Sequence, residues 1–341
     1  MQLAIFGAGG LGRSMVALAH YKQNLRTVAL LDSSGYVFDA EGIPPLDDSF
    51  AGCALMPGAV LSDRAIDRVI HERADEIDAI FLALPNLPNH FIPSVIDRVM
   101  AAGFRGVMAD ALKRTSAMEM VLARSEALRH AGITYITGAG ATPGLLTAAA
   151  MVAAQSFVDV RAVDIEFGVG IANWEQYRAT IREDIAHMAG FDVPTAQALS
   201  DEEVEALLDT TDGLLHLVEM EHADDIMLEL AGVCARDRVT VGGVVDTRCP
   251  KKPLSTTVTV RGITFEGKES AHTFTLGDET SMAANVNGPV LGYLQTAAWL
   301  HQQNIYGCLT AAQVMPQYSP MRPELRTQLT QHQVARVPAT H

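Results

Sequence analysis

Gly7, Gly9 and Gly12 stand at the spacing G-x-G-x-x-G in "GAGGLG", directly after the apolar run "LAIF" and before an apolar-striped stretch. That spacing fits a strand-to-helix turn. Gly7 permits the tight bend, Gly9 lets backbone approach a pyrophosphate, and Gly12 lets the helix pack closely on a sheet. The free N–H groups of the helix start, around Gly10 and Leu11, would face the phosphates. Asp32 ends the next apolar run, 20 residues beyond Gly12, where a carboxylate can hold adenosine ribose hydroxyls. Its charge favours NAD. Ser33 and Ser34, with Arg13, leave a ribose 2′-phosphate and hence NADP open. A plain strand–helix turn with Asp32 on the surface is the bland alternative, and motif plus context outweigh it.

Other chemistry-bearing residues gather where further strands should end. "ALPNLPNHF" (83–91) offers Asn86, Asn89 and His90 on a segment stiffened by Pro85 and Pro88. "DALKRT" (110–115) carries Asp110, Lys113 and Arg114. A desolvated Lys113 ammonium beside a positive nicotinamide would have a lowered pKa and shuttle a proton; capping the sheet end or pairing with Asp110 is the equal-weight alternative. In "TGAGATPGLL" (137–146), Thr142 suits an N-cap and Pro143 the first helical position, so this helix start would point at an anionic substrate group. In "NWEQYRATIREDIAHM" (173–188), Arg178 and Arg182 are four apart and share a helix face. They would clamp a carboxylate, or form surface pairs with Glu175 and Glu183. His187 lies beside them as an acid–base candidate, and the general acid stays open among Lys113, His90, His187 and Asp110. "EMEHADD" (219–225) lacks a second clear ligand pair, so a solvated acidic face is expected there and no metal. Lys251 and Lys252 in "CPKKPLST" are solvent-facing charge, or a lid meeting substrate carboxylates.

The elements that must position these residues follow from hydrophobic periodicity. Residues 1–150 alternate short apolar runs (3–7, 27–32, 79–85, 106–110, 133–137) with helical stretches such as 62–74 and 94–103. That beat predicts a Rossmann-type doubly wound parallel sheet. Ser62 and Gly103 are expected as caps. From about 157 the texture changes. Runs at 160–171, 238–246, 254–262 and 270–277 alternate in polarity and predict an open, largely antiparallel sheet in a second α+β domain. Ser200 and Glu203 form a capping box for a helix at 200–209. Residues 278–303 read as a long helix that Gly288-Pro289 kinks or breaks. The expected organisation is a dinucleotide-binding domain, 1–150, rejoined by 278–320; a substrate and dimerisation domain, 151–277; and a flexible C-terminal tail, 321–341.

The glycine loop "GAGGLGRS", the Pro85-Asn86 turn, a lysine beyond the fifth strand and "GAGATPG" together resemble the saccharopine dehydrogenase-like NAD(P)-dependent oxidoreductases. The wider group includes diaminopimelate and homoserine dehydrogenases. The resemblance covers residues 1–150, and "LGDETSMAANVNGP" resembles the helix that returns to the first domain. It implies hydride transfer at an amine or imine carbon of an amino-acid-derived molecule. Leu84, Pro85 and Asn86 would line the nicotinamide, and Lys113 would assist proton transfer. A hydroxy-acid or polyol C–O dehydrogenase and a non-catalytic redox sensor are the alternatives.

Bulk properties bound these readings. Length, 341 residues, suits two domains, and a 48% apolar content supplies their cores. A net charge of −15 argues against non-specific nucleic-acid or acidic-membrane binding. Cys53, Cys234, Cys249 and Cys308 are scattered without a CxxC pair, as expected of reduced thiols in a cytoplasmic protein. No secretion signal is read at the N-terminus. The apolar stretch 136–154 is interrupted by Gly138, Gly140, Pro143 and Gly144, so a buried strand–turn–helix is expected rather than a membrane span. A homodimer acting on a small molecule is the expected assembly.

Overall fold

A computed structural model describes residues 1–47, 50–171, 174–218, 220–278 and 281–325 of the chain. Most of the predicted tail lies outside the described residues.

The short apolar runs of the first half form β1 (Gln2–Phe6), β2 (Arg26–Leu31), β3 (Gly35–Phe38), β4 (Val60–Leu61), β5 (Ala79–Leu82), β6 (Val107–Asp110) and β7 (Thr134–Thr137). The second half adds β8 (Asp159–Gly170), β9 (Leu214–Leu217), β10 (Val239–Asp246), β11 (Thr257–Ile263), β12 (Glu269–Thr275) and β13 (Gly307–Thr310). They build two sheets. The first is eight-stranded in the order β13-β7-β6-β5-β1-β2-β3-β4. It is parallel from β13 to β2, with β3 and β4 turned antiparallel at one edge. Strands such as β1, β5 and β6 are apolar almost throughout because helices cover both faces of a parallel sheet.

The second sheet runs β12-β11-β8-β10-β9. It is largely antiparallel, as expected, through β9 with β10, β8 with β11 and β11 with β12, while β8 and β10 pair in parallel, from Val239 opposite Val163 to Asp246 opposite Gly170. The helix Leu145–Ala154 packs Leu146, Ala150 and Ala153 onto this sheet. Ile181 and Ile185 of the helix Arg178–Ile185 join Val204 and Leu208 in a separate apolar cluster near β9 and β10.

Two local readings change. The helix Met282–Gln302 runs unbroken through Pro289. Proline removes one N–H, and that single loss is outweighed by burial of Val290, Leu291, Tyr293 and Leu294 in the core of the first sheet. Ser62 is not the N-cap of the helix Ala65–Arg73; Arg64 is, and its N–H donates to the Ser62 hydroxyl at 3.0 Å. The capping box at Ser200 forms as read, with reciprocal bonds of 3.2 and 2.8 Å to Glu203. Among the described residues, no helix is long and apolar enough to cross a membrane.

Candidate active site

The strand order reverses direction between β1 and β5. Ligands of such sheets sit in the crevice outside the strand C-termini at this point. The glycine turn lies there. Gly7 has φ +113°, and a Cβ on it would come within 2.2 Å of the Ala83 carbonyl oxygen. A Cβ on Gly12 would lie 1.8 Å from the Gly7 carbonyl oxygen. Nothing lies within 4 Å of a Cβ built on Gly9, the N-cap of the helix Gly10–Tyr21, and no side chain caps that helix start. The turn is therefore closed toward the sheet and open toward a ligand. Tyr177 leans over it from the other half of the chain; a Cβ on Gly10 would meet its ring at 2.7 Å.

Asp32 is more occupied than the ribose reading assumed. Its carboxylate accepts the N–H groups of Ser34 and Cys53, both at 2.8 Å, and the Ser34 hydroxyl. Burial pushes its carboxyl up, but the bonds from Cys53 and Ser34 outweigh this and hold it below the usual range. It is an ionised group that also ties the 32–35 turn to Cys53. Ser33 is exposed at this rim.

A cavity of about 670 Å³ opens beyond the rim. Polar groups stand on one side of it. The Lys113 ammonium lies 2.9 Å from Asp184 Oδ1 and 3.4 Å from Glu183 Oε2. Asn86 bridges this group: its Oδ1 accepts the Lys113 N–H at 3.2 Å and its Nδ2 donates to Glu183 Oε2 at 3.5 Å. Leu84 is half-buried and Pro85 exposed beside it. Burial pulls the Lys113 ammonium down, yet Asp184 and Glu183 carry it above the ordinary lysine value. The expected lowering is thus reversed, because two carboxylates face the lysine. Glu183 is raised by its own burial, against the pull of Lys113.

Apolar side chains of Phe167, Val169, Ile171, Ile181, Met220, Val245 and Val286 make up much of the remaining wall. Lys251 and Lys252 stand on a loop laid across the end of β8. That close approach needs Gly170, whose Cβ would meet the Lys251 carbonyl oxygen at 2.4 Å.

Several predicted site residues sit elsewhere. Asp110 is fully buried and saturated: Tyr135 Oη, Thr137 Oγ1 and the N–H groups of Gly138 and Leu112 all donate to it. It ties the ends of the strands together and does not line this cavity. His90 is exposed, at the N-cap of the helix Phe91–Ala101, and does not line the cavity. Arg178 and Arg182 do share a helix face, but both ion-pair with Asp201 at 2.5 Å and lie over Trp174. The opposite face of that helix, with Thr180, Ile181 and Asp184, lines the cavity. His187 is half-buried and does not stand on the cavity wall; burial, Lys113 and Arg114 all lower its pKa. Thr142 lines the cavity, but the helix after it begins at Leu145 with Gly144 as N-cap, and its hydroxyl donates to Asp224 at 2.7 Å.

Sequence reasoning missed Asp184 as a cavity residue, and Glu183 as its companion against Lys113; the signal for Asp184 was available in the 180/181/184 helical spacing. It also dissolved the 219–225 cluster into a solvated face. Glu219 of that cluster lies outside the described residues. Glu221 pairs with Arg114 and accepts the Ser116 N–H at 2.8 Å, and His222 and Asp224 are buried.

No protein-family model matches the chain. (S)-8-amino-7-oxononanoate synthase BioU of Haloferax mediterranei is 42% identical over 349 residues, covering 93% of this chain and 99% of that protein. Among solved structures, an engineered D-amino acid dehydrogenase bound to NADP+ aligns with a TM-score of 0.55 at 15% identity, over 98% of this chain and 99% of that one. The DAP dehydrogenase of C. glutamicum in complex with DAP aligns at 0.53 and 16%, over 98% of each chain. These two share the fold. The synthase overturns the saccharopine dehydrogenase-like resemblance, which rested on glycine-turn and rim motifs that a fold of this type carries into many chemistries. It overturns with it the expected hydride transfer at an amine or imine carbon, along with the C–O dehydrogenase and redox-sensor alternatives. The chain belongs to the family of the enzyme (S)-8-amino-7-oxononanoate synthase BioU.

Proposed function

We propose that this chain is itself an (S)-8-amino-7-oxononanoate synthase. The observation that carries the reading is the cavity with its charges divided between opposite chemistries. An amino-keto acid with a long methylene chain needs an anion for its ammonium, a donor for its ketone oxygen, an apolar wall and a cation for its carboxylate. Asp184 supplies the first and the Lys113 ammonium the second. The apolar wall supplies the third, and Lys251 and Lys252 supply the fourth. The cavity volume lies within the roughly 300–1,000 Å³ usual for small-molecule sites.

The glycine turn fits a nicotinamide dinucleotide. The backbone N–H groups at Gly10 and Leu11 would meet its phosphates, Asp32 its adenosine ribose, and Leu84, Pro85 and Asn86 its nicotinamide end. The ionised Asp32 favours NAD over NADP, since a 2′-phosphate beside it is repelled. A bound nicotinamide would supply a redox-active ring. In this reading the first sheet and its helices hold the dinucleotide, and the second closes the cavity over Lys113.

Calorimetry with (S)-8-amino-7-oxononanoate tests the proposal. Saturable binding is expected, weakened by about 10-fold or more in Asp184→Asn, since a charged hydrogen-bond partner is lost. Absence of binding to the wild-type protein, with and without NAD, overturns it. For the cradle, Gly9→Ala should fold normally and lose NAD affinity, because only the ligand side of that position is open.

A further inference from the structure

His222 and Asp224 form a buried pair that none of the roles above uses. His222 is 3% exposed and Asp224 0% exposed, and they meet through Nδ1 and Oδ2 at 2.7 Å. His222 nevertheless lines the cavity. Lys113 is tied to the same turn, since its carbonyl accepts the Ala223 N–H at 2.8 Å. Imidazole and ammonium therefore reach one cavity from adjoining backbone.

The hydrogen-bond bookkeeping assigns the proton on the ring. Thr147 Oγ1 accepts the Gly144 N–H at 2.8 Å, which leaves its own proton for Asp224 Oδ1. Thr142 Oγ1 donates to Asp224 Oδ2 at 2.7 Å. Two hydroxyl donors occupy acceptor positions on both oxygens of the Asp224 carboxylate, so its third partner, Nδ1, is assigned as a donor as well. The neutral ring then carries its lone pair on Nε2. Among the described residues, none hydrogen-bonds to Nε2. His187 also has an Nε2 without a partner, but that ring is not on the cavity wall, whereas His222 is.

We propose that His222 is the acid–base residue of this cavity, with Asp224 as its positioning residue. Nε2 takes a proton from the ligand's 8-ammonium group: the ligand N–H bond breaks, an Nε2–H bond forms, and the positive charge moves onto an imidazolium stabilised by Asp224. The freed amine keeps its electron pair, and the proton returns when product leaves. The other charged groups on the cavity wall are Lys113, Asp184, Lys251, Lys252 and Asp278. The identity of the ligand rests on the proposed function; the tautomer does not.

Nitrogen-15 NMR of histidine-labelled protein tests both parts, with His222→Gln used to assign the signals. The expected wild-type spectrum shows Nδ1 protonated and Nε2 bare, and saturating (S)-8-amino-7-oxononanoate moves the Nε2 signal. Asp224→Asn should raise the share of the Nε2–H tautomer. His222→Gln should keep ligand affinity within a few-fold and slow formation of that ligand about 100-fold or more, the usual share of general acid–base catalysis. An Nε2–H tautomer in the wild type, an unmoved Nε2 with ligand bound, or an unchanged tautomer in Asp224→Asn overturns the proposal. If calorimetry shows no ligand binding, the proposed function fails, and the pair is judged on the tautomer in the wild type and in Asp224→Asn.

Discussion

Asp110 and Asp224 are both fully buried carboxylates, and both gather donors from threonine hydroxyls. Asp110 spends everything inward, on Tyr135, Thr137 and the backbone after β6 and β7. Asp224 spends one of its oxygens on an imidazole that lines the cavity. The difference teaches that burial of a charged group does not mark function. What separates the two is that one partner of Asp224, the His222 imidazole, lines the cavity, whereas no partner of Asp110 named above does.

Substitutions can break or sharpen this contrast. The largest effect is expected from Asp110→Ala. It leaves four buried donors without an acceptor, and urea denaturation should show a loss of about 5 kcal/mol, from roughly 1–3 kcal/mol per stranded donor. The His222 tautomer should not change in any folded fraction; if it does, the two clusters are coupled and the contrast fails.

Lys113→Met should follow, at about 3 kcal/mol, because Glu183 and Asp184 lose the cation between them. The sign with pH is fixed by the raised ammonium. Its contribution is fully present below the ordinary lysine value of 10.5 and is lost as pH rises through the folded value. The gap between wild type and variant should therefore hold across neutral pH and narrow only in strong alkali. A gap that closes below pH 9 contradicts this assignment.

Thr147→Val removes one donor to Asp224 and the acceptor of the Gly144 N–H, and should cost about 1–2 kcal/mol. Its sharper readout is the Nδ1 nitrogen-15 signal of His222, which should move as the carboxylate is held by fewer donors. Smallest of all, Arg178→Ala and Arg182→Ala should change the melting temperature only slightly and leave ligand affinity intact, since both arginines face Asp201. Loss of affinity in either would return the arginines to the site.

Much of the fold was legible in the sequence because parallel strands covered on both faces must be apolar runs, and the turn after β1 must be glycine. The same local logic found the Ser200 capping box, which closes within four residues. It failed at Pro289, where local helix breaking is overruled by the buried residues that follow. It also failed on the arginines. Spacing placed Arg178 and Arg182 on one helix face, but nothing local says which face meets the cavity. The parallel pairing of β8 with β10 escaped for a similar reason: alternation reports one buried face, not the direction of a neighbour.

The sequence by itself determined a doubly wound sheet with a glycine turn at its switch point, because these depend on periodicities of two and 3.6 residues and on one residue type without a Cβ. Only the tertiary structure decided which charges face one another. Lys113 meets Asp184 across 71 positions, and Thr142 meets Asp224 across 82. Hydrogen-bond geometry acts over about 3 Å of space with no regard for chain separation. The chemistry of the cavity was therefore settled where distant segments close on each other, beyond the reach of any local pattern.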